Sequence, residues 1–252
     1  MNKIKGSIKL FFAFIIFSNT LASEHPERIL FVGNSYLYYN DSMHNHVEKM
    51  LIEHYGDSEI ATKSATIGGS KLHNHNIEHL LNFKNLQLKG PIDLLIMQGA
   101  STEVKTPKSR EKFSKTVVEF SNKAHKLGIK TALYMTHAYL KNDKRYEPYL
   151  IDKIKKTYYE AALKSDSLVI PVGLAYEIAY AENPKIKLHH PDGTHPGMLG
   201  TYLGACTVFA MITNSSPEGL FYDYLDRVTD GEKAFLQKVA WKAYLQNKDL
   251  IN

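Results

Sequence analysis

Five short strand candidates constrain this chain more than any other feature. They are "RILFV" (28–32), "EIATKSA" (59–65), "IDLLIM" (92–97), "KTALYM" (130–135) and "SLVIPV" (167–172), with helix-periodic stretches between them. Several are continuously apolar, the signature of parallel strands buried on both faces. In "SREKFSKTVVEFSNKAHKLG" the period puts Phe113, Val117, Phe120, Ala124 and Leu127 on one face, and Gly128 stands where a C-terminal cap belongs. Asp41 or Ser42 can cap a helix that runs to Tyr55 and stops at Gly56. "EPYLIDKIKKTYYEAALK" (147–164) is a further amphipathic helix, and late helices follow Pro196 and Thr229. Strands alternating with helices predict an α/β chain: a three-layer, doubly wound sandwich of about five parallel strands with helices on both faces. Active sites in such sheets form beyond the carboxyl ends of the strands.

The first 22 residues read as a signal peptide. Lys3, Lys5 and Lys9 precede the apolar "LFFAFIIF" (10–17), and "SNTLAS" supplies small residues with Ala22 at a cleavage position. The apolar run is too short to span a bilayer comfortably, so no stable membrane insertion is expected after cleavage. Residues 23–252 suit one domain. The full chain carries +5, and the three leader lysines leave +2 for the remainder. That balance argues against a nucleic-acid partner. A lone cysteine, Cys206, excludes an intramolecular disulfide, and its helical context "GTYLGACTVFAM" predicts a packed thiol. Secretion or a periplasmic location is therefore expected for a chain held together by its core.

Three strand ends carry groups that could do chemistry. The first run ends at Gly33-Asn34-Ser35. A serine hydroxyl is a weak nucleophile that needs a histidine base, a group to orient that base, and donors aimed at the developing oxyanion. "HHPDGTHPG" supplies a base and an orienter: Asp192 and His195 are three residues apart, a spacing at which a turn can bring a carboxylate to the imidazole. "ATIGGS" contains Gly68 and Gly69, where the backbone can approach a ligand closely. "DLLIMQGAST" ends in Gln98, Gly99 and Ser101, and an amide there could donate to an oxyanion or cap the next helix.

These blocks, in this order, resemble the SGNH (GDSL-type) hydrolases. "FVGNSY" resembles the first block, which implies Ser35 as nucleophile and its backbone N–H as an oxyanion donor. "IGGS" resembles the second, with Gly69 as the oxyanion glycine. "DGTHP" resembles the last, with His195 as base and Asp192 as its orienter. The third block departs from the family's Gly-x-Asn-Asp: aligned on Gly99 the chain reads "GAST", leaving Gln98 or Ser101 as the third donor. The resemblance implies a flavodoxin-like SGNH hydrolase fold and an esterase without a cofactor. It also implies small-molecule or glycan ester substrates such as O-acetylated sugars. An α/β-hydrolase elbow would need Gly-x-Ser-x-Gly, and the second glycine is missing.

Other readings compete. "HNHNIEH" puts His75 and His79 four apart, on one face if helical, and His189, His190, Asp192 and His195 could form a metal cluster. A metal-dependent hydrolase is thus one alternative, and a non-catalytic carbohydrate-binding or structural protein on the same fold is another. Tyr36, Tyr38 and Tyr39 could line a sugar cleft or pack at the sheet edge. "HAYLKNDKRYEP" (137–148) is a polar segment that could form a loop over the site.

Overall fold

The computed structural model describes residues 25–56 and 59–248; the signal-peptide segment lies outside the described residues. In chain order the elements are β1 (Arg28–Gly33), α1 (Ser35–Tyr38), α2 (Met43–Tyr55), β2 (Ala61–Thr66), α3 (Ile77–Leu81), β3 (Leu94–Met97), α4 (Pro107–His125), β4 (Lys130–Tyr134), α5 (Leu150–Ser165), β5 (Leu168–Ile170), α6 (Val172–Glu182), α7 (Met198–Thr213) and α8 (Asp230–Asn247). Short 3₁₀ turns at Leu72–Asn74, Phe83–Leu86 and Ser101–Val104 join them. The five strands form one sheet in the order β2-β1-β3-β4-β5, and every pairing is parallel. All five strand expectations fall on observed strands, with ends displaced by a residue or a few.

Period-2 alternation splits the strand side chains between two cores. Ile29, Phe31, Leu94, Ile96 and Tyr134 face one core with Val47 and Met50 of α2, Tyr176 of α6, Phe209 of α7 and Val239 of α8. Leu30, Val32, Leu95, Met97 and Leu133 face the other with Ile77 of α3, Val117 of α4 and Ile154 of α5. Cys206 is fully buried in α7, as its context predicts. Among the described residues no helix is long and apolar enough to cross a membrane.

Three expectations need correction. Leu127 is 60% exposed, because α4 ends at His125 and Gly128 turns the chain through a Schellman-type closure before Leu127 reaches the apolar face. Ser42 stands at the start of α2 but makes no side-chain cap; its hydroxyl donates to the Leu37 carbonyl instead. The run at 167–172 is a three-residue strand followed at once by α6, a helix mostly apolar on every face. Such a helix has no amphipathic period to separate it from the strand before it.

The strand order reverses direction between β1 and β3. That is the topological switch point, where a crevice opens beyond the strand carboxyl ends. Ser35 follows β1 there and Gln98 follows β3.

Candidate active site

Ser35 is the first residue of the short helix α1, and the turn before it is built by Asn34 and Gln98. The Asn34 side chain caps α1 by accepting the Tyr36 N–H at 3.1 Å and donates to the Ser70 carbonyl at 2.9 Å. One side chain thus ties the Ser35 turn to the "IGGS" loop. The Asn34 N–H donates to Gln98 Oε1 at 2.9 Å. Gly33 must be glycine for this contact, since a Cβ there would sit 2.5 Å from Gln98 Oε1. The Ser35 N–H, at a helix N-terminus, makes no hydrogen bond among the described residues, so it is left as a donor.

Asp192 and His195 meet inside a tight hairpin. His189 and Pro196 pair as an antiparallel bridge, and the His190 N–H donates to the His195 carbonyl at 2.8 Å. Within the loop Asp192 Oδ1 accepts the N–H groups of Thr194 (2.9 Å) and His195 (3.0 Å), while Oδ2 lies 2.6 Å from His195 Nδ1. A carboxylate only accepts, so Nδ1 carries the proton and Nε2 offers its lone pair. His195 Nε2 lies 2.9 Å from Ser35 Oγ. Burial alone would raise the Asp192 carboxyl, but the hydrogen bonds from the His195 ring and from the Thr194 and His195 backbone outweigh it, holding the group well below the usual carboxylate range.

The remaining expected donors have different surroundings. Gly69 is exposed, at φ +67°, with open space where a Cβ would stand, and its N–H is unpaired among the described residues. Gln98 is buried, with its amide oxygen on Asn34 N–H and its amide nitrogen donating to the Gly99 carbonyl. Ser101 Oγ is buried and accepts the Tyr139 hydroxyl at 2.6 Å. Both candidates for the third donor are thus already engaged in holding neighbouring groups. The histidine pairs also separate. His75 is buried beside Ser70 before α3 begins, whereas His79 lies in α3 and contacts Asn85 at the surface. His189 spends both ring nitrogens on Tyr180 Oη and the Ala138 carbonyl. Among the described residues no group of three or more His, Cys, Asp and Glu side chains is arranged to hold a metal ion.

Two residues at the site, His137 and Glu103, escape sequence reasoning, and Tyr36 turns out to pack rather than line a cleft. His137, in the expected polar loop, is buried; its Nε2 donates to the Thr194 carbonyl at 2.7 Å. Its ring lies between those of Tyr36 (4.7 Å) and Tyr176 (4.4 Å), and burial holds it neutral, far below the ordinary histidine range. Tyr36 is also buried, its hydroxyl 2.7 Å from Thr194 Oγ1 and its phenol pushed up to about 12 by burial. Glu103 Oε2 accepts the N–H groups of Ala100 (2.7 Å) and Leu72 (3.2 Å), joining the loops after β2 and β3. Burial raises its carboxyl. A charged residue just past an apolar strand, as in "QGASTE", was the available signal for Glu103, and a histidine just past β4 was the signal for His137.

No family model matches the chain, and no curated protein matches it in sequence. Solved structures do. The chain superposes on a DUF4886 family protein from Bacteroides uniformis with TM-score 0.67 and 18% identity, covering 86% of this chain and 94% of that one. It superposes on a candidate SGNH hydrolase from Slackia heliotrinireducens with TM-score 0.55 and 22% identity, covering 72% and 96%. The chain has the SGNH hydrolase fold. An acetyl xylan esterase, AlAXEase, also shares this architecture, at TM-score 0.56 and 18% identity over 73% of this chain and 99% of that one. In this structure the turn after β1 and the 189–197 hairpin meet at one crevice, where His195 Nε2 faces Ser35 Oγ.

Proposed function

We propose that the protein is an exported serine ester hydrolase, formed by residues 23–252 after signal removal, that acts through an acyl-enzyme on small acyl or acetyl esters. The observation that carries this reading is the unbroken hydrogen-bonded chain from Asp192 through His195 to Ser35 at the switch point of the sheet. Ser35 Oγ attacks the ester carbonyl as His195 Nε2 takes its proton. Asp192 keeps the proton on Nδ1 and stabilises the imidazolium that forms. The N–H groups of Ser35 and Gly69 hold the oxyanion, and Gln98, which fixes the Asn34 backbone, has a second amide hydrogen to offer as third donor. His195 then protonates the leaving alcohol, and water, activated by the same ring, releases the acid.

For the substrate, an O-acetylated carbohydrate fits best. An acetyl xylan esterase is among the fold neighbours, and Tyr38 offers a 42%-exposed ring beside Tyr39 on which a sugar face can stack. The test is hydrolysis of p-nitrophenyl acetate and of acetylated xylan by the purified protein. Ser35→Ala should reduce turnover by about 10³-fold or more, and a chelator should leave it unchanged. Glycan binding without turnover by the wild type would favour the non-catalytic alternative, and loss of turnover on chelation would favour a metal-dependent one.

A further inference from the structure

Tyr39 lies flat on the imidazole of His195. The two ring centroids are 4.2 Å apart and the planes differ by 4°. This contact is built into the backbone. Tyr39 is the C-cap of α1, and the next three residues, Asn40, Asp41 and Ser42, all have positive φ, between 52° and 67°. Such a run of non-glycine residues persists only when its surroundings enforce it. Here the Asn40 side chain donates to the Pro196 carbonyl at 3.0 Å and to Thr201 Oγ1 at 2.8 Å, while the Asn40 carbonyl accepts His46 Nε2 at 2.7 Å. The segment that carries Tyr39 is therefore fastened to the residue directly after His195.

A neutral imidazole gains only packing from this stack. An imidazolium gains more, because its charge faces the negative face of the aromatic ring at a distance within cation–π range. Acyl transfer creates that imidazolium: the Ser35 proton moves to Nε2 while Oγ bonds the carbonyl carbon, and the charge persists until the leaving alcohol takes the proton. We propose that Tyr39 is a positioning residue that acts through His195, stabilising its cationic form through the ring face. The inference rests on the proposed function. Other titratable groups facing His195 are few. The hairpin contributes Asp192 at Nδ1 and His190, whose Nδ1 is 3.3 Å from the same Asp192 oxygen. The Tyr36 phenol meets the His195 ring edge-on at 5.7 Å, and His137, buried and neutral, lies behind Tyr36. None of these presents an aromatic face to the imidazole as Tyr39 does.

The proposal depends on ring electrons and not on the phenol hydroxyl. Replacing Tyr39 with phenylalanine and then with progressively fluorinated phenylalanines keeps the shape and drains the ring face. Each protein is read twice: by NMR titration of the His195 ring protons, and by kcat and kcat/KM against pH with p-nitrophenyl acetate. Tyr39→Phe should stay within about twofold of wild type. Increasing fluorination should move the His195 titration midpoint and the acidic limb of the profile steadily to lower pH. Tyr39→Leu should show the full effect, about half to one and a half pH units with about 3- to 30-fold lower kcat. A flat fluorine series, or lost activity with an unmoved midpoint, would overturn the inference and reduce Tyr39 to packing. The NMR readout does not need turnover. An inactive wild type with a graded midpoint would therefore sink the esterase reading and leave the ring contact standing.

Discussion

Asp192 accepts three hydrogen bonds from residues within three positions of itself, which is why "DGTH" could be read as a unit. Local geometry of that kind depends only on a turn. Asn40 is the opposite case: it meets Pro196 across 156 positions of sequence, and nothing near it announces the contact. Tyr39 was legible as an aromatic near Ser35, but its partner was not. Asp192→Asn should lower kcat at neutral pH by about 10³–10⁴-fold, measured with p-nitrophenyl acetate, because the amide no longer fixes the tautomer of His195. The folded carboxyl ionises at lower pH than the unfolded one, so its stabilisation is present above the unfolded value near 4 and fades as pH falls through the folded one. The Tm difference between wild type and Asp192→Asn should thus be largest above about pH 5 and shrink towards pH 3. A difference that grows on acidification would contradict this.

At the level of elements, the site is held by side chains that bind loop backbone. Gln98 joins the ends of β1 and β3, and Glu103 joins the loops after β2 and β3. Such clasps cannot be read from pattern, because a buried glutamine or glutamate looks like any polar residue after a strand. Glu103→Ala should leave two buried N–H groups unpaired, each costing about 1–3 kcal/mol, as measured by urea unfolding. Glu103→Gln keeps an acceptor oxygen and should cost markedly less. Equal losses in the two variants would mean that the carboxylate does not serve these N–H groups. The helices show the same division between local and non-local signals. α8 starts where Thr229 and Glu232 form a reciprocal capping box, a signal fully local to the sequence. α6 was hidden because its apolar residues run on from β5 without a change of period.

Across the whole molecule, the doubly wound sheet was legible because its central strands are apolar on both faces, a demand no loop sequence satisfies. Burial lowers His44, His46, His73, His75, His137 and His189 and raises Glu103 and Glu177. Below the unfolded histidine value near 6.5, the unfolded chain takes up protons that the folded chain refuses, so this stability is present above 6.5 and is lost as pH falls. The two glutamates work in the opposite sense, two groups against six. The urea midpoint should therefore drop between pH 7.5 and 5.5. His137, fully buried, contributes up to about 1.4 kcal/mol per pH unit, and His137→Gln should flatten the slope. A midpoint that rises over this interval would refute the assignment.

Covalent capture decides whether Ser35 is an activated nucleophile. The purified protein is treated with a fluorophosphonate, digested and mapped by mass spectrometry. The arrangement of Ser35, His195 and Asp192 predicts one adduct, on the peptide containing Ser35, that disappears when the protein is labelled after His195→Ala substitution. A protein that takes up no label, or that takes it up at another serine, would contradict the account.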